Sequence, residues 1–241
     1  MPKMTLTRFM TGRTEVRRDW QLAITADMVL QKQGANVRKV RARQSRLVVL
    51  AERAIAEGRP LIQPQVAYRA LRIQEVQPAL VTLENRDQLH GATVAGKLAG
   101  SKLAVGVIAT VGAEIEREIL RATGEKAALG LALDGYANAA VSALIIAFRR
   151  HLAELAQSEQ LEITTPLYPG THGWELGAAQ TELFSLVNAA PIGVKLTSSF
   201  LMTPCKSVSM LIGIGAEMKL TDDPCDECDA AAECRYKSSG A

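Results

Sequence analysis

Cysteine is scarce in this 241-residue chain, with four in all, and a strong excess of either charge is missing: 28 basic and 25 acidic residues leave a net charge of +3. So small an excess leaves no electrostatic footprint for a nucleic-acid partner. The opening residues, MPKMTLTRFMTGRTEVRRDW, lack the apolar run of a secretory signal. The expectation is a cytoplasmic protein whose thiols stay reduced and bind metal in preference to forming disulfides. A glycine-rich phosphate loop after a strand is also missing. GIGAEM, starting at Gly213, is too short and lacks the third glycine, so a nucleotide-binding fold has no support. Internal repeats and low-complexity tracts are absent. The stretch 127–148 approaches the length of a membrane span. It is built largely of Ala and Gly and is interrupted by Asp134 and Asn138. It is therefore read as a buried central helix, and no membrane partner is expected.

What is present is an ordinary globular composition, 48% apolar and 22% charged, with length enough for one large domain or two small ones. Helical spacing marks 19–33 and 36–57, with Gly34 and Gly58 as stop signals. The early basic residues Arg17, Arg18, Arg38, Lys39, Arg41, Arg43 and Arg46 read as a solvated face, or else as a dock for an acidic partner. Alternation in VAYRALRIQEV and the apolar PALVTLE indicate strands broken at Pro78. A short helix over 93–98, a buried strand over 103–111, and helices over 112–122 and 125–157 follow. The segment ITTPLYPGTHGW has two prolines, two glycines and no period, which marks a loop. A helix over 174–187 and two extended segments, GVKLTSSFLMTP and SVSMLIGIG, complete the pattern. Helices come in blocks and do not alternate strictly with strands, which indicates an α+β fold. The expected organisation is a helical segment over 1–60, an α+β domain over 61–220 and a cysteine-rich tail over 221–241.

The tail carries the densest chemistry. Cys225 and Cys228 form a Cys-x-x-Cys bite, Cys234 follows after five residues, and Cys205 lies about twenty residues upstream. Two thiolates at that spacing wrap one metal or cluster from a single turn, and a third leaves one ligand to find. Cys205 is either that fourth ligand or a small buried residue. The cargo is an iron-sulfur cluster of the four-iron kind, held by Cys225, Cys228 and Cys234 with or without Cys205, or a structural zinc. Asp222, Asp223, Asp226, Glu227 and Asp229 crowd the motif, and negative surroundings lower a cluster's potential.

Residues 193–209, GVKLTSSFLMTPCKSVS, resemble the signature near the end of the activation (reactivation) domain of cobalamin-dependent methionine synthase. YPGTHGWELGAAQTELFSLV, LAVGVIATVGAEIEREI and LALDGYANAAVSAL look like further parts of that family, in a stand-alone form with a cysteine-rich C-terminal tail. The resemblance covers about 61–215. It implies a helmet-shaped α+β domain, a twisted antiparallel sheet with flanking helices. In the family the domain binds S-adenosylmethionine, caps the corrinoid and allows inactive cob(II)alamin to be reduced and remethylated. A separate chain of this kind would serve a corrinoid protein or a cobalamin-dependent methyltransferase. A non-catalytic module that shields a corrinoid or carries zinc is the alternative, as is an S-adenosylmethionine-binding subunit of a split methionine synthase. The site residues implied are Tyr168, Gly170, Thr171, His172, Lys195, Thr197, Ser199, Lys206 and Ser207.

The donor site departs from the family pattern in four places. Pro166 stands where the loop arginine should be, Thr171 replaces the tyrosine after the glycine, and Ser142 and Ser198 replace acidic residues. A guanidinium clamp on a carboxylate is hard to replace with a neutral residue. Among other candidates, His172 in the loop either approaches cobalt or is simply exposed, and His90 and His151 read as surface residues on helices. Trp174 either stacks on a cofactor or packs in the core. Asp134, in an apolar helix, needs a partner and either caps the backbone or faces the pocket.

Overall fold

The computed structural model describes residues 11–43 and 46–216. The molecule is organised around three long strands: β2 (Gln65–Gln77), β5 (Ser101–Thr110) and β9 (Ser207–Gly215). They are the β-branched and alternating runs of the sequence, and β5 and β9 are buried on both faces over most of their length. β5 lies between the other two, antiparallel to both, with Tyr68 opposite Val107 and Ile108 opposite Ser209. The sheet grows outward by short strands. β3 (Leu80–Leu83) and β4 (Gln88–His90) follow the far half of β2, β1 (Glu15–Arg17) pairs with its near half, and β6 (Glu162–Ile163) closes the edge beyond β9. A separate two-stranded hairpin, β7 (Lys195–Leu196) and β8 (Met202–Thr203), stands off the main sheet.

Side chains alternate across a strand, so the sheet has two cores. Val66, Tyr68, Val105, Val107, Met210 and Ile212 face one way. Against them lie α1 (Ala26–Lys32), α3 (Arg46–Gly58), α5 (Glu114–Glu125) and the 31-residue α6 (Ala127–Gln157); α2 (Val37–Ala42) links α1 to α3. Ala67, Leu71, Ala104, Ile108 and Leu211 face the other way, against α4 (Ala92–Leu98) and α7 (Leu176–Leu186).

The Ala and Gly content of α6 has a packing cause. A Cβ on Gly135 would lie 2.7 Å from Gln33 Cγ and 3.1 Å from the carbonyl oxygen of Val29, so α1 crosses directly over that backbone. At the α3 crossing the Tyr136 ring fills the space above Gly58, where a Cβ would lie 2.5 Å from it. By length and hydropathy α6 is also long and apolar enough to cross a membrane; half of its most apolar window is buried against the rest of the chain.

One expected helix is shorter than its pattern suggested. Helix α1 begins at Ala26, capped by Thr25 Oγ1, which accepts from Met28 N, and not at residue 19. Trp20, Leu22 and Ile24 recur at period two and press an extended segment onto the core. The Trp20 ring meets Phe148 and His151 edge-on, its Nε1 donates to the carbonyl of Arg17, and the Arg17 guanidinium lies 4.5 Å above it. The expected helix over 36–57 is two pieces, α2 and α3.

Candidate functional site

The irregular segment after β6 is tied to the edge of β9. Thr164 N donates to the carbonyl of Gly213, Thr164 Oγ1 accepts from Gly213 N, and Leu167 exchanges two backbone bonds of 2.9 Å with Leu211. The chain then folds over itself. Gly170 N donates to Trp174 O, Trp174 N to Thr171 O, and Thr171 Oγ1 to Tyr168 O at 2.6 Å. Trp174 is buried in the second core, and its Nε1 donates to Glu182 Oε2 at 3.1 Å. The other oxygen of Glu182 accepts from His90 N and pairs with His90 Nδ1 at 2.9 Å. Gly91 adopts φ +129°, and a Cβ there would sit 2.6 Å from the carbonyl oxygen of Gly173, so the loop lies directly on the β4–α4 junction.

The β7–β8 hairpin forms the opposing wall. Lys195 pairs with Thr203 and Leu196 with Met202, and Thr197 Oγ1 accepts from Leu201 N at its tip. Phe200 at φ +60° lays its ring over the first turn of α7 at Gly177. Between loop and hairpin lies a cleft of about 360 Å³, lined by Tyr168, Pro169, Leu176, Gln180, residues 200–202, Cys205 and residues 207–209. Among the described residues, no charged side chain lines it. Its rim is apolar and exposed: Leu176 at 37%, Phe200 at 41% and Leu201 at 58%. At its base Ser209 Oγ donates to Gln180 Oε1 at 2.9 Å, and Ser207 Oγ to Thr110 Oγ1 at 2.9 Å.

The charges of this region lie on the other side of β9. Lys206 Nζ lies 2.6 Å from Asp134 Oδ1 and 2.8 Å from Asn138 Oδ1 on α6, and the Lys206 N–H donates to Glu116 Oε1 on α5. Burial, with a hydrogen bond to Glu116 as the second cause, raises the pKa of the Cys205 thiol above its ordinary value and keeps it protonated. Burial also raises the pKa of the Tyr168 phenol.

Of the residues implied by the sequence, Tyr168, Cys205 and Ser207 meet at the cleft. Gly170, Thr171 and His172 form the adjoining turn, where the carbonyl of His172 accepts from Thr93 Oγ1. Lys195, Thr197 and Ser199 lie on the exposed hairpin. Lys206 points to the helices, paired with Asp134, which neither caps the backbone nor enters the cleft. His90 lies on strand β4, not on a helix, and is held by Glu182. His151 is half-buried beside Trp20, and its Nε2 has no partner among the described residues. Cys225, Cys228 and Cys234 lie outside the described residues. Among those described, no group of three or more His, Cys, Asp or Glu is placed to hold a metal. Leu176 and Gln180 were not anticipated. A lone amide on the apolar face of LGAAQTELFSL is the signal that could have found Gln180.

No family model matches the chain, and no curated protein matches it. Solved structures do. The curled antiparallel sheet with flanking helices is similar to the crystal structure of the MetH reactivation domain bound to AdoHcy, with a TM-score of 0.57 and 14% identity. The likeness covers 86% of this chain and 80% of that one. The fold is therefore α+β of the methionine synthase reactivation-domain type, as the 193–209 signature implied.

Proposed function

We propose that this chain is an accessory protein of cobalamin-dependent methyl transfer, which docks on a corrinoid-bearing partner and supports reductive reactivation of its cobalt. The fold likeness supports the class of role. The observation that carries the docking reading is the exposed apolar rim of Leu176, Phe200 and Leu201 around a cleft that no charged side chain lines among the described residues. Apolar patches gathered in one place mark interaction surfaces, and a macrocycle face is a matching occupant. In this reading residues 61–220 form the docking domain, Tyr168 to His172 and Lys195 to Ser207 border the contact, and residues 221–241 carry the redox group.

Cys225, Cys228 and Cys234 would hold an iron-sulfur cluster or a zinc ion, with Cys205 as fourth ligand. Cys205 is exposed beside the cleft and so within reach, but ligation there would have to displace the proton that its raised pKa retains. Chain length limits it. Cys205 lies two residues before β9 and Gly215 at its far end, roughly 30 Å apart at about 3.3 Å per residue. Ten residues from Gly215 to Cys225 span at most about 35 Å. A four-cysteine site therefore requires 216–224 to return nearly extended along the sheet, whereas a three-cysteine site does not. Metal analysis with visible spectroscopy on protein purified without oxygen separates iron from zinc. Loss of one thiolate ligand in Cys205→Ser would support the four-cysteine site.

A second reading, an S-adenosylmethionine-binding subunit of a split methionine synthase, is favoured by the AdoHcy bound to the structural neighbour. The lining of the cleft, uncharged among the described residues, counts against it. The test of the main reading is sedimentation with a corrinoid protein holding cob(II)alamin. A complex that Leu201→Asp weakens at least tenfold is the expected result, and no complex at micromolar concentrations would remove the docking reading.

A further inference from the structure

We infer that the exposed basic band of α1–α3 is a docking surface for an acidic protein, separate from the cleft and free to be occupied at the same time. The inference goes beyond the corrinoid docking reading and does not depend on it.

Between Asp27 and Glu52 the chain carries six cations, Lys32, Arg38, Lys39, Arg41, Arg43 and Arg46, and no acidic residue. That is twice the net charge of the whole chain, so the remainder of the molecule is net negative. The fold turns this charge outward. Val37 and Val40 pack α2 against the first core, which leaves Arg38, Lys39 and Arg41 exposed. Lys32 at the end of α1, Arg43 after α2 and Arg46 at the start of α3 are exposed as well.

Elsewhere helical arginines are matched by carboxylates of their own helix: Arg53 by Glu57, Arg117 by Glu114, and Arg121 by Glu118 and Glu125. In the band only Arg41 has a carboxylate partner among the described residues, Asp27 at 2.8 Å. Arg38 and Arg41 are three apart on α2, where side chains are neighbours and like charges repel. The free molecule thus concentrates positive charge that it does not neutralise, and a partner bearing carboxylates relieves it.

Composition selects the class of partner. Four of the six cations are arginine, whose planar fork grips both oxygens of a carboxylate. Arginine is enriched at protein interfaces, where lysine is depleted. Leu47 at 45% and Val49 at 66% exposure flank Arg46 on α3 and add the apolar contact that such an interface uses. A nucleic-acid strand stacks its bases on aromatic side chains, and residues 28–51 contain none. A bilayer takes up the apolar side of a basic helix, and in α2 that side faces the core. Helices α1–α3 pack on the first core, whereas α7, which walls the cleft, packs on the second. Occupants of the two surfaces therefore do not compete.

Fluorescence anisotropy of a labelled decaglutamate peptide with the full chain tests this, beside an oligothymidylate of equal charge and vesicles of phosphatidylserine and phosphatidylcholine. The peptide should bind at micromolar concentrations in about 0.05 M salt and at least tenfold more weakly in about 0.3 M. It should also bind more tightly than the oligothymidylate or the vesicles. Arg38→Glu/Lys39→Glu/Arg46→Glu should cut peptide affinity at least tenfold with an unchanged circular dichroism spectrum, and Arg117→Glu on α5 less than twofold. No peptide binding at millimolar concentration, or equal losses in the two variants, would overturn the inference. Tighter binding of the oligothymidylate or the vesicles would reassign the band to nucleic acid or lipid, and salt-sensitive dimers of the chain alone would reassign it to a second copy. The probe order and salt response are measured on the unaltered protein, so they decide the matter if a variant fails to fold. Peptide binding without capture of a corrinoid protein would remove the docking reading and keep this one. Capture without peptide binding would do the reverse.

Discussion

On the α5–α6 side of β9 the Lys206 ammonium is held by Asp134 and Asn138, with Glu116 accepting from its backbone N–H; on the other side Ser207 and Ser209 meet only neutral partners. Residues adjacent in sequence thus face opposite chemistries, because a strand sends alternate side chains to opposite faces. The charged side is a brace, joining the start of β9 to α5 and α6. The neutral side is where a ligand or partner has room. The contrast teaches that Lys206, within the 193–209 segment, is a structural residue, and that the cleft side of the same strand presents amide, hydroxyl and apolar groups.

Trp174 backs the loop and is fully buried, so Trp174→Ala should lower stability by about 3–5 kcal/mol, as large core deletions do, read in a urea titration. On the charged side, Lys206→Met leaves Asp134 without its counter-ion. Asp134 remains 40% exposed against 12% for Lys206, so water offsets part of the loss. About 1–3 kcal/mol is expected, below the cost of breaking a fully buried pair. The double variant Lys206→Met/Asp134→Leu should recover part of that, and the double-mutant cycle measures the coupling.

Smaller effects sharpen the contrast. Tyr168→Phe removes a hydroxyl with no partner among the described residues, so stability should change by less than about 0.5 kcal/mol. A stability loss above about 1.5 kcal/mol, the value of a typical hydrogen bond, would show that the hydroxyl is already engaged. Away from the site, burial lowers the pKa of His151 below its ordinary 6.5. The unfolded chain therefore binds the proton more readily than the folded one. Stability should fall as pH drops through about 6.5, levelling off once pH is below the folded value. His151→Gln should flatten this segment of the pH–stability curve, and an unchanged slope would show that His151 does not contribute.

The strands were legible where they were long. The alternation in VAYRALRIQEV and the β-branched run of β5 mark central strands because burial on one or both faces dictates the residues. β1, β4 and β6 have two or three residues each, too few for a period to show. The segment 19–24 carried a readable signal, Trp20, Leu22 and Ile24 at period two, overlooked beside the helical spacing that follows it. Of the site, the loop and the signature segment were visible as motifs. The pairing of Lys206 with Asp134 spans 72 positions, and the match of Gln180 to Ser209 spans 29. Neither has any local trace, since each arises only when the sheet edge, α6 and α7 are assembled.

The central claim is that the neutral face serves a corrinoid partner in reduction. Anaerobic spectroscopy of a corrinoid protein holding cob(II)alamin, mixed with a reductant and with this chain, tests it most directly. The account predicts that the cob(II)alamin absorbance decays at least tenfold faster with the unaltered chain than without it, and that Leu201→Asp abolishes the acceleration. Equal decay with and without the chain would contradict it.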